Sequence, residues 1–175
     1  MESKRPALFL DRDGILNEVV MRGSVVGSPR STEELRPIQN AREIIEEAKR
    51  LGFLTIVVTN QPEIEKGQLS RENLSAINNQ LKLEFQLDEI VVCESADNSN
   101  PYRKPNPMMI LEAAEKFGID LTKSFLIGDR DKDIEAGKRA GVRTILLKTT
   151  YNQAAWKLPD HLCESFSQIK SIIEG

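Results

Sequence analysis

Asp11 and Asp13 stand two residues apart, directly after the apolar run Ala7-Leu8-Phe9-Leu10, and Gly14 follows them. Residues i and i+2 of a strand project to the same side. The two carboxylates can therefore converge at one strand tip, and the glycine lets the chain turn sharply there. Carboxylates so close repel each other unless a proton or a cation intervenes, and oxygen ligands at this spacing suit Mg²⁺. A solvated Asp-Gly surface turn has the same four residues, so the rest of the chain has to decide between the two.

Composition removes several competing chemistries. The chain has 175 residues, enough for one compact domain over residues 1–175. Its one histidine, His161, and two cysteines, Cys93 and Cys163, are too few for a disulfide framework or a four-ligand Cys/His zinc site. A serine triad would have to recruit His161 from a stretch with no nucleophile elbow. Neither Gly-x-Gly-x-x-Gly nor a Walker loop occurs. Carboxylates, lysine, hydroxyls and backbone amides are what remain. A net charge of −3 gives no basic field for nucleic acid. No segment has the apolar length to span a bilayer, and the four apolar residues before Asp11 are too short for a signal peptide. The expected location is cytoplasmic.

The elements that must position these residues alternate. Strands are predicted at 8–10, 53–58, 89–93, 124–127 and 142–147. Helices are predicted at about 40–51, 70–85, 107–117, 134–140 and 165–172. Asn40 with Glu43 resembles a helix-opening cap, and Pro107 suits a first helical position. Residues 18–39 and 95–106 read as polar loops. Strands separated by helices imply a parallel sheet with helices on both faces, an α/β, three-layer, Rossmann-like architecture. Sites in such sheets lie beyond the carboxyl ends of the strands. Asp11 and Asp13, Thr59 and Asn60, Lys104 and Asp129 all fall there, which a chance scatter of polar residues would not do.

Four stretches taken in order carry a resemblance: Asp11-Arg12-Asp13-Gly14, Thr59-Asn60-Gln61, Arg103-Lys104-Pro105 and Gly128-Asp129-Arg130-Asp131-Lys132-Asp133. Over residues 7–147 the chain resembles the haloacid dehalogenase superfamily of phosphohydrolases. With Leu16-Asn17, Pro62 and the run Arg103-Lys104-Pro105-Asn106-Pro107-Met108, it is similar to the branch of heptose bisphosphate and histidinol-phosphate phosphatases. Many members of that branch carry a zinc loop of three cysteines and a histidine. Here Cys93 stands alone before residues 95–102, which contain no ligand, so that zinc site is expected to be absent.

The resemblance implies a Mg²⁺-dependent phosphatase acting on a small phosphorylated metabolite, a sugar (bis)phosphate with D-glycero-D-manno-heptose 1,7-bisphosphate as the expected one, or else histidinol phosphate. It implies Asp11 as nucleophile, forming an aspartyl-phosphate, and Asp13 as general acid and base. Mg²⁺ would be held by Asp11, the backbone carbonyl of Asp13, and Asp129. Thr59 and the Asn60 amide would bind phosphoryl oxygens, and Lys104 would pair with the phosphate and offset Asp11. Arg103 would reach the substrate body or a second phosphate, and Arg130 a distal phosphate. Asp133 would orient Lys104 or the metal shell. Crowding by other carboxylates is expected to ease protonation of Asp13. Asp131 and Lys132 read as solvated charges, Arg12 as a structural residue pointing away from its neighbours, and Trp156 as a packing anchor. Neither interval between the motifs leaves room for a separate cap domain, so the fold is expected to be capless. Two other classes use similar groups: a phospho-receiver domain, and a catalytically silent binding domain of the same fold. The sequence does not give the oligomeric state.

Overall fold

The computed structural model describes residues 4–152 and 158–175. Trp156 therefore lies outside the described residues. In chain order the elements are β1 (Ala7–Leu10), β2 (Val20–Arg22), β3 (Val25–Gly27), α1 (Ala41–Arg50), β4 (Leu54–Asn60), α2 (Arg71–Phe85) and β5 (Glu89–Cys93). There follow α3 (Met108–Phe117), β6 (Phe125–Gly128), α4 (Asp131–Ala140), β7 (Arg143–Leu147), β8 (His161–Cys163) and α5 (Phe166–Glu174). Among the described residues six strands form one parallel sheet in the order β5-β4-β1-β6-β7-β8.

Period-two alternation along the strands builds the three layers. Leu8 and Leu10 of β1 point into one apolar cluster with Ile44 and Ile45 of α1, Ile77 and Leu81 of α2, and Ile169 of α5. Ala7 and Phe9 point the other way, into a cluster with Met109 and Ile110 of α3 and Ala136 and Ala140 of α4. Burial of both strand faces is why these strands read as continuous apolar runs. Ser70 opens α2, its hydroxyl accepting from the Asn73 amide at 3.1 Å.

Several predicted features differ. Residues 18–39 are not all loop: β2 and β3 pair as an antiparallel hairpin, Val20 opposite Gly27. The sheet has a sixth strand, β8, which contains His161 and Cys163. Helix α4 begins at Asp131, three residues before the apolar pattern does. Asn40 precedes α1 but makes no capping hydrogen bond; the buried face of Ala41, Ile44, Ile45 and Ala48 holds that helix instead. Thr59 and Asn60 are the last two residues of β4.

What the topology does for function is set by β1. It lies between β4 and β6, so the order of the sheet reverses around it. Such a switch point opens a crevice beyond the carboxyl ends of the strands. The tips of β4, β1 and β6 are adjacent there. The segment between β1 and α1 holds only the hairpin. Among the described residues no helix is long and apolar enough to cross a membrane.

Candidate active site

Asp11 follows β1, and its amide donates to the Ile127 carbonyl of β6 at 2.9 Å, which ties the two tips together. Lys104 arrives from the loop after β5. Asn60 fixes it: the Asn60 side-chain amide donates to the Lys104 carbonyl and accepts from the Lys104 amide, both at 3.0 Å. The Lys104 ammonium is 3% exposed and donates to Asp11 Oδ1 at 2.8 Å, Asp133 Oδ1 at 2.6 Å and the Val58 carbonyl at 2.7 Å. All three of its protons are engaged. Burial alone would lower its pKa, but Asp11 and Asp133 outweigh that and raise it, so the cation is permanent.

Asp11, Asp129 and Asp133 bring one carboxylate oxygen each to within 4.8 Å of one another. Asp133 is fully used, its second oxygen accepting from the Arg130 amide at 3.1 Å. Asp129 is 0% exposed; its Oδ2 accepts from the Tyr151 hydroxyl at 2.6 Å, while its Oδ1 is buried with no partner. Burial and the charges of Asp11 and Asp133 raise the Asp129 pKa well above the usual carboxylate range. Burial and Asp133, opposed by Lys104, push Asp11 up to about 6. An unpartnered buried carboxylate oxygen beside two further acids is a donor set that fits a hard divalent cation. Two glycines make the cluster possible. At Gly14, with φ +90°, a Cβ would lie 2.3 Å from Asp129 Oδ2, and at Gly128 a Cβ would lie 2.2 Å from that of Asp133.

Asp13 has a different environment from the one expected. Its neighbours are donors rather than carboxylates. Asn17 reaches its Oδ1 at 2.9 Å, and Ser28 and Gln61 reach its Oδ2 at 2.7 and 2.8 Å. Arg12 does not point away: it is fully buried and turns its guanidinium back onto Asp13, with Nη2 2.9 Å from Oδ1, while Nη1 donates to Asn78 at 2.9 Å. Burial would raise the Asp13 pKa, but Arg12 and these hydrogen bonds hold it below the usual range. The crowding expected at Asp13 falls instead on Asp11 and Asp129.

Asp11, Asp13, Asn60, Lys104, Arg103 and Arg130 all border one cavity of about 330 Å³. Val26, Gly27 and Ser28 of the hairpin and its exit form another part of its wall, and Asp131 and Lys132 also border it. Arg103 is engaged within its own loop, donating to Ser95 O at 2.9 Å and Asn98 Oδ1 at 3.2 Å. Thr59 is buried and its hydroxyl accepts from Gln61 at 2.9 Å. Ser28 and Tyr151 were not anticipated. Nothing in the loop-like composition around Ser28 marks it, whereas Tyr151 lies just beyond β7 and obeys the same strand-tip rule as the acids.

A family model for HAD-hydrolase-like proteins matches residues 101–169. The chain is 36% identical to the D-glycero-alpha-D-manno-heptose-1,7-bisphosphate 7-phosphatase of Burkholderia mallei, over 82% of this chain and 80% of that one. It is also 36% identical to the D-glycero-beta-D-manno-heptose-1,7-bisphosphate 7-phosphatase of Helicobacter pylori strain J99, over 85% and 86%. The crystal structure of the D,D-heptose 1,7-bisphosphate phosphatase from B. bronchiseptica, complexed with magnesium and phosphate, has the same fold, with a TM-score of 0.82 at 22% identity over 97% of this chain and 98% of that one. The chain belongs to the haloacid dehalogenase-like hydrolases, as a phosphatase of the branch that holds these heptose bisphosphate enzymes. It is a phosphoric monoester hydrolase.

Proposed function

We propose that this enzyme removes one phosphate from a heptose 1,7-bisphosphate through an aspartyl-phosphate on Asp11. One observation carries the reading: a buried lysine held 2.8 Å from Asp11 at the edge of a cavity that Asp13 also borders, beside an acid cluster with a bare Asp129 oxygen. Asp11, Asp129 and the backbone carbonyl of Asp13 would hold Mg²⁺, leaving Asp133 to Lys104 and the Arg130 amide. The ion supplies the charge cancellation that lets a carboxylate approach a phosphate.

An Asp11 oxygen attacks phosphorus and the ester oxygen leaves, taking a proton from Asp13. Asp13 then removes a proton from water, which attacks phosphorus and releases inorganic phosphate, restoring Asp11. The donors around Asp13 favour its ionised form, which suits the second half of this cycle. For the first half it must enter protonated, and the approach of a phosphate dianion favours that proton. Lys104 keeps Asp11 from being neutralised in its buried setting. The enzyme acts as a single domain over residues 1–175, with the hairpin and loop 95–106 closing over a small sugar phosphate.

The relatives cited act, by name, on opposite anomers, so the test is a phosphate-release assay on both anomers with Mg²⁺, beside fructose 1,6-bisphosphate and histidinol phosphate. Preference for a heptose anomer supports the reading. Preference for histidinol phosphate replaces the substrate, and a stable phosphoprotein without release replaces the reaction. Asp11→Asn should abolish release.

A further inference from the structure

Asp129 is gripped twice by one short segment that leaves β7. The Tyr151 hydroxyl donates to Asp129 Oδ2 at 2.6 Å. The Asn152 amide donates to the Asp129 backbone carbonyl at 2.7 Å and to Leu147 O at 2.8 Å, while Asn152 Oδ1 accepts from the Thr149 amide at 2.7 Å. The segment is thus locked to the end of its own strand and, through Asn152, to the tip of β6. Gly14 completes the fit, because a Cβ there would also lie 2.3 Å from the Tyr151 hydroxyl. One carboxylate oxygen is held by the phenol and the other is buried and bare.

We infer that Tyr151 and Asn152 are positioning residues that fix the rotation of the Asp129 carboxylate and so preorganise it as a divalent-cation ligand. The inference rests on the reading of Asp11 and Asp129 as metal ligands. A carboxylate whose one oxygen already accepts a short hydrogen bond cannot swing it toward Asp11. The other oxygen stays bare, and on this inference it is the one that meets the cation, so little rotamer freedom has to be lost when one arrives. Loss of an outer-sphere partner of this kind typically costs about 10–100-fold in metal affinity or activity, and a partner that only orients a ligand acts through the affinity. A purely structural tyrosine would act through its ring, which borders an apolar groove with Val19, Ile38 and Phe166.

Tyr151→Phe separates the two, since it keeps the ring and removes only the hydroxyl. The probe is Mn²⁺ binding to the substrate-free protein, followed by the electron paramagnetic resonance signal of free Mn²⁺. The same protein is then assayed for phosphate release across a Mg²⁺ titration. The Mn²⁺ dissociation constant is expected to rise about ten-fold. The half-saturating Mg²⁺ should rise in step, with turnover rescued by excess Mg²⁺ and KM at that concentration unmoved. Asn152→Ala, which frees the backbone of Asp129 instead, should shift the same two constants in the same direction and covers the case of a misfolded phenylalanine variant. Wild-type protein that binds Mn²⁺ no better than a folded variant lacking the hydroxyl overturns this inference alone. A turnover deficit that excess Mg²⁺ does not rescue also overturns it. Wild-type protein that binds no Mn²⁺ overturns the ligand assignment beneath it.

Discussion

Asp11 and Asp13 are two residues apart in sequence and opposite in character. The first is buried against other acids and one lysine; the second is surrounded by donors. The two environments suit the two proposed roles, with the charge of Asp11 compensated by Lys104 and the ionised form of Asp13 favoured by its donors. Asp13→Asn should keep the fold and lower turnover by about 10²–10⁴-fold, the usual worth of a general acid–base group; steady-state phosphate release measures it. Arg12 is the less obvious test. Its removal leaves a buried carboxylate without its cation, so Arg12→Met should lower stability by about 3–5 kcal/mol in urea titration. It should also raise the Asp13 pKa, because the guanidinium is what chiefly outweighs burial there. The alkaline limb of the rate profile, where Asp13 loses the proton it must give to the leaving oxygen, should then move to higher pH. A limb that stays in place would separate Arg12 from the chemistry and leave it only a packing role.

The hairpin of β2 and β3 gives the small fold a wall that the sheet alone lacks. Val26 borders the cavity, so Val26→Glu sets a charge against an incoming bisphosphate. A repulsion of about 1–3 kcal/mol should raise KM for the bisphosphate on the order of ten-fold, with a smaller effect on p-nitrophenyl phosphate, which carries one phosphate. The hairpin was not legible beforehand. Its strands are three residues each and lie among Gly23, Gly27 and Pro29, and residues 18–39 have the composition of a loop. Strand β8 escaped for a related reason: His161-Leu162-Cys163 is too short for a periodic pattern, and no helix is predicted between it and β7 to announce a crossover. The central strands were readable because burial on both faces imposes unbroken apolar runs. The start of α4 was missed since Asp131 and Asp133 look like loop charges, although acids at a helix N-terminus are favourable. The site followed from the topology: once strands alternate with helices, polar residues at strand tips must meet. What the sequence could not carry was direction. Nothing in Asp-Arg-Asp-Gly says that the arginine folds back onto its neighbour, or that a tyrosine some twenty residues past Asp129 closes on it.

The acid cluster ties the stability of the whole protein to pH and, on the proposed reading, to cations. In the chelated protein Asp11 has its pKa raised from 3.8 to about 6, and Asp129 is raised well above the same starting value. Between those limits the folded state binds more protons than the unfolded chain. The stability change with pH follows the difference in bound protons, unfolded minus folded, and that difference is negative here. The contribution from these groups is therefore fully present below the unfolded pKa and is lost as pH rises through about 6, with Asp129 extending the loss to higher pH. Asp13 works in the opposite sense, since its lowered pKa adds stability that disappears only as pH falls below the normal carboxylate range. Melting temperature measured by calorimetry in a chelator should accordingly decline from pH 5 toward pH 7.5. A divalent cation competes with those protons and favours the ionised cluster. Added Mg²⁺ should raise the melting temperature strongly at pH 7.5 and weakly at pH 5, flattening the decline. Asp129→Asn removes one of the two titrating acids and, with it, the bare oxygen proposed as a ligand. It should melt higher than the chelated parent at pH 7.5 and respond little to Mg²⁺. The same gain from Mg²⁺ in that variant as in the parent would mean that the ion stabilises the protein from somewhere other than the tips of β1 and β6.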